Sequence, residues 1–152
     1  MPAKMKKNKP EYLYIKGNEL GEHKDNDKIV KVIAGKYKKA EGPEKNHNVD
    51  PIYFHVILNE GKEFNCDVPS GHNSFVYLLK GELKVGEKEH NKTADSNLIL
   101  LKQGTKLKIT ASKQSEFLFI AGKPIGEPIA RGGPFVMNTK AEILEALSLI
   151  HI

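Results

Sequence analysis

Six histidines, one cysteine and a few neighbouring acids are the residues of this chain that could carry chemistry. A specific metal centre needs three or four convergent donors, with the imidazoles held by further hydrogen bonds. His23, His47 and His90 fall in polar stretches, and His151 falls in the tail. His55 lies within an apolar run, and His72 follows a glycine at the start of another. Isolated histidines in such places read as hydrogen-bonded structural residues. His72-Asn73 in particular reads as a turn held by side-chain to backbone bonds. Cys66 has no sequence neighbour that would depress its pKa and reads as a small strand filler. Glu41, Glu44, Glu87 and Glu89 read as solvated loop charges. The chain has no G-x-S-x-G, no P-loop, no dinucleotide fingerprint and no C-x-x-C. The residues assign no catalytic, cofactor-binding or metal-ligating position, and no cofactor.

The elements that would position any site are strands. Short β-type segments recur between turn residues: Tyr12–Ile15, Lys28–Ala34, Ile52–Leu58, Glu63–Val68, Ser74–Leu79, Glu82–Val85, Asn97–Leu101, Lys106–Thr110 and Glu116–Ala121. Segments of this length with Gly, Asn and Pro punctuation predict a sandwich or barrel. Lys106-Leu107-Lys108-Ile109-Thr110 alternates polar and apolar, which gives one wet face and one buried face. Lys80-Gly81 suits a tight turn, and Lys38–Asp50 reads as a polar, mobile loop. One helix is expected, over 139–150. Thr139 with Glu142 makes a capping-box signature, and Ile143, Leu144, Ala146, Leu147, Leu149 and Ile150 supply its apolar face. Residues 1–11 carry Lys4, Lys6, Lys7 and Lys9 and read as a basic arm or linker, with one domain over 12–152.

At 152 residues the chain is long enough for one buried core. It is 39% hydrophobic and 28% charged, and no apolar run approaches the roughly 18 residues of a membrane helix. The net charge of +5 comes almost wholly from lysine, since Arg131 is the single arginine. That argues against sequence-specific nucleic acid, whose guanines are read by bidentate arginine. A lone cysteine excludes an internal disulfide and fits a cytoplasmic or nuclear compartment. MPAKMKKNKP has no apolar segment behind it and is not a secretory signal.

Three stretches resemble one family. AGKPIGEPIARGGPFVMNT (Ala121–Thr139), VPSGHNSFVYLLKGELKVG (Val68–Gly86) and IVKVIAGKYKKAEGP (Ile29–Pro43) are similar, in this order, to the C-terminal half of pirins. The resemblance implies an all-β fold, a cupin-type jelly-roll β-barrel with a short C-terminal α-helix. It covers most of this chain but about half of a pirin, so a truncated or stand-alone half is expected. The tail LSLIHI departs from the family's polar, acidic ending, so an altered or shortened end is expected there as well.

Cupins hold a divalent metal through three imidazoles and a carboxylate, spaced as G-x5-H-x-H-x4-E-x6-G and G-x5-P-x-G-x2-H-x3-N. With Gly61 and Gly81 placed on the first motif and Gly104 on the second, the ligand positions hold Asp67, Pro69, Ser74 and Leu107, with Lys102 at the motif's proline. A second register, with His72 at the first ligand, puts Ser74 and Leu78 or Leu79 at the next two. Neither register supplies an iron site. The family's iron binding, transcriptional co-regulation and quercetin 2,3-dioxygenase activity therefore do not transfer residue by residue. The expected function is a non-catalytic protein-interaction or structural module, co-regulator-like by resemblance. The alternative is a truncated half of an iron-dependent quercetin 2,3-dioxygenase-like pirin. A protein partner or self-association through the C-terminal helix is expected, with no membrane and no small-molecule substrate.

Overall fold

The computed structural model describes residues 2–10, 12–44, 48–86, 92–94 and 96–149. Its strands are β1 (Gly21–Lys24), β2 (Lys28–Ala34), β3 (Lys36–Tyr37), β4 (Ala40–Glu41), β5 (Ile52–Leu58), β6 (Glu63–Asp67) and β7 (Asn73–Lys80). They continue as β8 (Glu82–Val85), β9 (Lys92–Ala94), β10 (Leu98–Leu100), β11 (Lys106–Ala111), β12 (Ser115–Gly122), β13 (Ala130–Gly132) and β14 (Phe135–Met137). One α-helix, α1, spans Lys140–Ser148. Contacts divide the chain into two compact units, Tyr14–Pro124 and a second made of Met1–Leu13 with Ile125–Ile152.

In the larger unit, β-branched and aromatic residues at every second position build two antiparallel sheets. One runs β1-β2-β5-β12-β7-β10 and the other β6-β11-β8-β9. Val30, Val32 and Ala34 of β2, Phe54, Val56 and Leu58 of β5, and Phe117, Phe119 and Ala121 of β12 point inward and are buried. Phe64, Leu83, Leu107 and Ile109 close the same core from the second sheet. The two layers meet where Phe64 is edge-on to Phe117 at 5.6 Å, and Tyr37 of the separate β3–β4 pair stacks on Phe64 at 5.4 Å. Each fully buried Phe side chain contributes about 1.5–3 kcal/mol of transfer free energy. Two facing antiparallel sheets around one core agree with the strand pattern, and they form the cupin-type all-β fold that the resemblance implies.

Gly81 makes the turn between β7 and β8 with φ +99°. A Cβ there would run into the Ser115 hydroxyl and the Gln114 carbonyl. Ser115 is itself buried, and its Oγ accepts from Glu82 N at 3.0 Å and donates to Lys113 O at 2.7 Å. The turn is therefore pinned by a satisfied polar group inside the core.

One predicted strand does not form. Tyr12–Ile15 has no regular structure, and Tyr12, Leu13 and Tyr14 are exposed. Its aromatic and β-branched residues suit a strand, but among the described residues no ladder partner exists, and an unpaired strand is not stable.

The smaller unit is held from both chain ends. Ala3–Met5 forms a 3-10 turn, and Ala3 N donates to Glu127 Oε2 at 2.7 Å. The same carboxylate oxygen accepts from Asn138 Nδ2 at 2.9 Å. Lys7 pairs with Glu145 at 3.1 Å, an exposed contact of small energetic weight. Helix α1 starts where the capping box placed it: Glu142 N donates to Thr139 Oγ1 at 3.2 Å, and Thr139 N donates to Glu142 Oε2 at 2.7 Å. The N–H groups of Thr139 and Asn138, with the Thr139 hydroxyl, all donate to the Glu142 carboxylate and hold it below its usual range. Ile143 is buried, and Gly132 of the β13–β14 hairpin leaves room for its methyl group.

Candidate functional site

The place to look for chemistry is where β6, β7, β10 and β11 end around one opening. Along β6 the side chains alternate: Glu63, Asn65 and Asp67 are exposed, Phe64 is buried and Cys66 is half-buried. Val68 continues the inward row and is buried. Across the ladder Cys66 is paired with Leu107, and Asp67 with Lys106. Ser74, the second residue of β7, is half-buried, with its carbonyl accepting from Leu101 N at 3.1 Å.

The four positions given by the glycine spacing are thus not brought together. Ser74 and Leu107 line a cavity of about 730 Å³. Asp67 and Pro69 are exposed and line a different one, of about 510 Å³, with Lys36, Glu41, Glu44 and Asp50. The glycine count starts in the turn before β6, whereas burial fixes which strand residues face inward. The inward positions of β6 are Phe64, Cys66 and the following Val68, beside Leu107. The His72 register fares no better, because Leu78 is in the core and Leu79 is exposed on the opposite side of its strand. Among the described residues no group of three or more His, Cys, Asp or Glu side chains is arranged to hold a metal ion. A serine hydroxyl, a thiol and two hydrocarbon side chains do not fit the iron site of a cupin, which is built from imidazole and carboxylate.

Cys66 is a poor nucleophile in this setting. Burial, with the neighbouring Asp67 carboxylate adding to it, pushes the thiol up to about 12. Burial likewise pushes the Tyr37 phenol up to about 12, with smaller contributions from Cys66 and Asp25.

The described histidines are all bonded within the protein. His72 is buried, and its Nε2 donates to Asp50 O at 3.1 Å, tying the turn at Pro69–His72 to the segment before β5. Its Nδ1 has no partner among the described residues. His55 projects from β5 and meets Glu116 of β12 at 2.6 Å. His23 contacts Asp25 at 3.0 Å. Asp25 would be raised by its burial, but the N–H groups of Asp27 and Lys28, with His23 and the Lys28 charge, bring it down to about 2. His47, His90, His151, Glu87 and Glu89 lie outside the described residues.

Residues 53–149 match the model of the Pirin C-terminal cupin domain. The chain is 30% identical to Pirin of Homo sapiens over 142 residues, which is 91% of this chain and 48% of that protein. It is also 30% identical to a pirin-like protein of Caulobacter vibrioides, over 96% of this chain and 52% of the relative. A crystal structure of quercetin 2,3-dioxygenase from Acinetobacter baumannii superposes with a TM-score of 0.89 at 30% identity, over 99% of this chain and 52% of that one. The chain therefore spans about half the length of the relatives it matches. A matched region covering most of the chain, on two facing antiparallel sheets followed by a capped C-terminal helix, makes it a member of the pirin family, in the C-terminal cupin domain.

Proposed function

We propose that this chain is a non-catalytic pirin-like C-terminal cupin domain that acts as a protein-interaction or structural module, co-regulator-like by its family. The observation that carries this reading is the inward-facing set Cys66, Val68, Ser74 and Leu107, which offers neither the imidazoles nor the carboxylate that hold a cupin's metal. Dioxygen chemistry needs a metal with open coordination positions, and the described donors offer none. Its partner is a protein, either a second copy or the half that the relatives possess beyond this chain, and its compartment is cytoplasmic or nuclear.

A second reading is favoured by the structural relative that bears the name quercetin 2,3-dioxygenase and is about twice as long. On that reading the chain is one half of an iron-dependent enzyme, and the activity belongs to the whole.

One experiment separates the two. The purified chain is analysed for metals and assayed with quercetin and ferrous iron in an oxygen electrode. The same assays are repeated after co-expression with the N-terminal half of a pirin relative. The module reading expects less than about 0.1 metal per chain and no turnover above free iron, alone or as a complex beyond what the added half shows by itself. Stoichiometric iron in the isolated chain would overturn it. Turnover that appears only in the reconstituted pair would favour the second reading.

A further inference from the structure

We propose that the 730 Å³ cavity at the open end of the larger unit binds a small organic anion with an apolar tail, a medium-chain carboxylate being the simplest case. Its volume lies within the roughly 300–1,000 Å³ typical of ligand cavities. Val68, Val85, Ile99, Leu101 and Leu107 give it hydrocarbon walls, the first and last buried and the others half-buried. Among the described residues, no aspartate, glutamate or histidine lines it. The charged groups that do line it are Lys102, Lys106 and Lys108, all exposed. Lys108 is held by Glu63 at 2.9 Å. Lys102 and Lys106 make no ion pair with the described residues. The Ser74 hydroxyl is the uncharged polar side chain in the wall, and no described group takes its proton.

This arrangement reverses what a metal-binding cupin needs. Positive charge at the edge and carbon inside repel a cation and give a hydrated phosphate too few donors. They suit a carboxylate that stays near the lysines while its chain lies along Val85, Ile99 and Leu107. Each methylene buried strengthens binding about fourfold, so chain length is the main variable. The exposed lysines act through screened attraction, so their part weakens with salt. The ligand is bound and not transformed, since the described walls hold no carboxylate, imidazole or thiol beside the exposed lysines.

The test uses the full chain, labelled with 15N and titrated with sodium octanoate, sodium butyrate and 1-octanol. The expected result is saturable octanoate binding, with amide shifts centred on Val68, Ser74, 98–102, Gly104 and 106–108. Octanoate should bind at least about tenfold more tightly than butyrate. Lys102→Glu with Lys106→Glu alters two exposed side chains. It should weaken octanoate at least about fivefold and leave octanol within about twofold. Val85→Asp tests the wall independently: with the spectrum of the folded protein retained, octanoate binding should be lost. Shifts that map to other surfaces, octanol binding as tightly as octanoate, or no saturation by about 10 mM octanoate would each overturn the proposal.

Discussion

Cys66 shows how much a single residue's setting matters. From sequence it read as a strand filler, and the structure agrees: it is half-buried against Leu107, with its thiol pushed up to about 12. Because the thiolate is the reactive form, iodoacetamide at pH 8 should modify Cys66 at least about tenfold more slowly than free cysteine. Modification should reach the ordinary rate once the chain is unfolded in urea. Rapid labelling of the folded protein, followed by mass spectrometry, would contradict the burial argument. His72 was equally legible, since a histidine at a turn was expected to bond a backbone group and it bonds Asp50 O. What sequence could not give was parity. Glycine spacing pointed to Asp67 and Pro69, and only the ladder shows that their neighbours Cys66 and Val68 face inward.

At the scale of elements, β2, β5 and β8 run over the predicted residues: β2 and β5 are blocks rich in β-branched or aromatic side chains, and β8 is a short alternating segment set off by Gly81 and Gly86. The short polar strands were not legible. Gly21–Lys24 carries little apolar signal and exists because β2 offers it an edge. The β13–β14 hairpin lies in a Gly-Pro stretch that reads as a break. The Lys80-Gly81 turn was legible, and its strictness can be measured. Gly81→Ala should lose about 1–3 kcal/mol, from the left-handed φ and the clash with Ser115 and Gln114. Gly104→Ala, where the nearest atom is 4.0 Å away, should change stability by less than about 0.5 kcal/mol. Urea melts of both variants decide it, and equal losses would remove the steric account.

For the whole molecule, the question is what covers its exposed carbon. Ile129, Val136, Leu144 and Leu149 of the smaller unit are all more than half exposed. The sequence already gave α1 more apolar residues than one neighbour can cover, and the structure buries Ile143 among them while leaving Leu144 and Leu149 outside. Apolar surface of this kind favours association. Light scattering should report a dimer or larger species for the chain alone. Leu144→Lys with Leu149→Lys should shift it toward monomer without changing the circular dichroism. A clean monomer at high concentration before mutation would count against the idea. That this chain corresponds to half of a longer relative was readable from its signature stretches. What meets it was not, because an interface leaves on one chain only the surface to be covered.

The hydrogen bonds from Ala3 and Lys6 to Glu127 and Val136 have a consequence for the order of folding. They join segments that are separated by the whole of Tyr14–Pro124. Closing a disordered loop of that length costs about 4 kcal/mol in chain entropy, more than a few exposed bonds return. Once the larger unit has formed, most of that loop is already ordered and its entropy is no longer lost on closure. The smaller unit is therefore a late element. It melts no later than the sandwich, and the N-terminal arm acts as its latch.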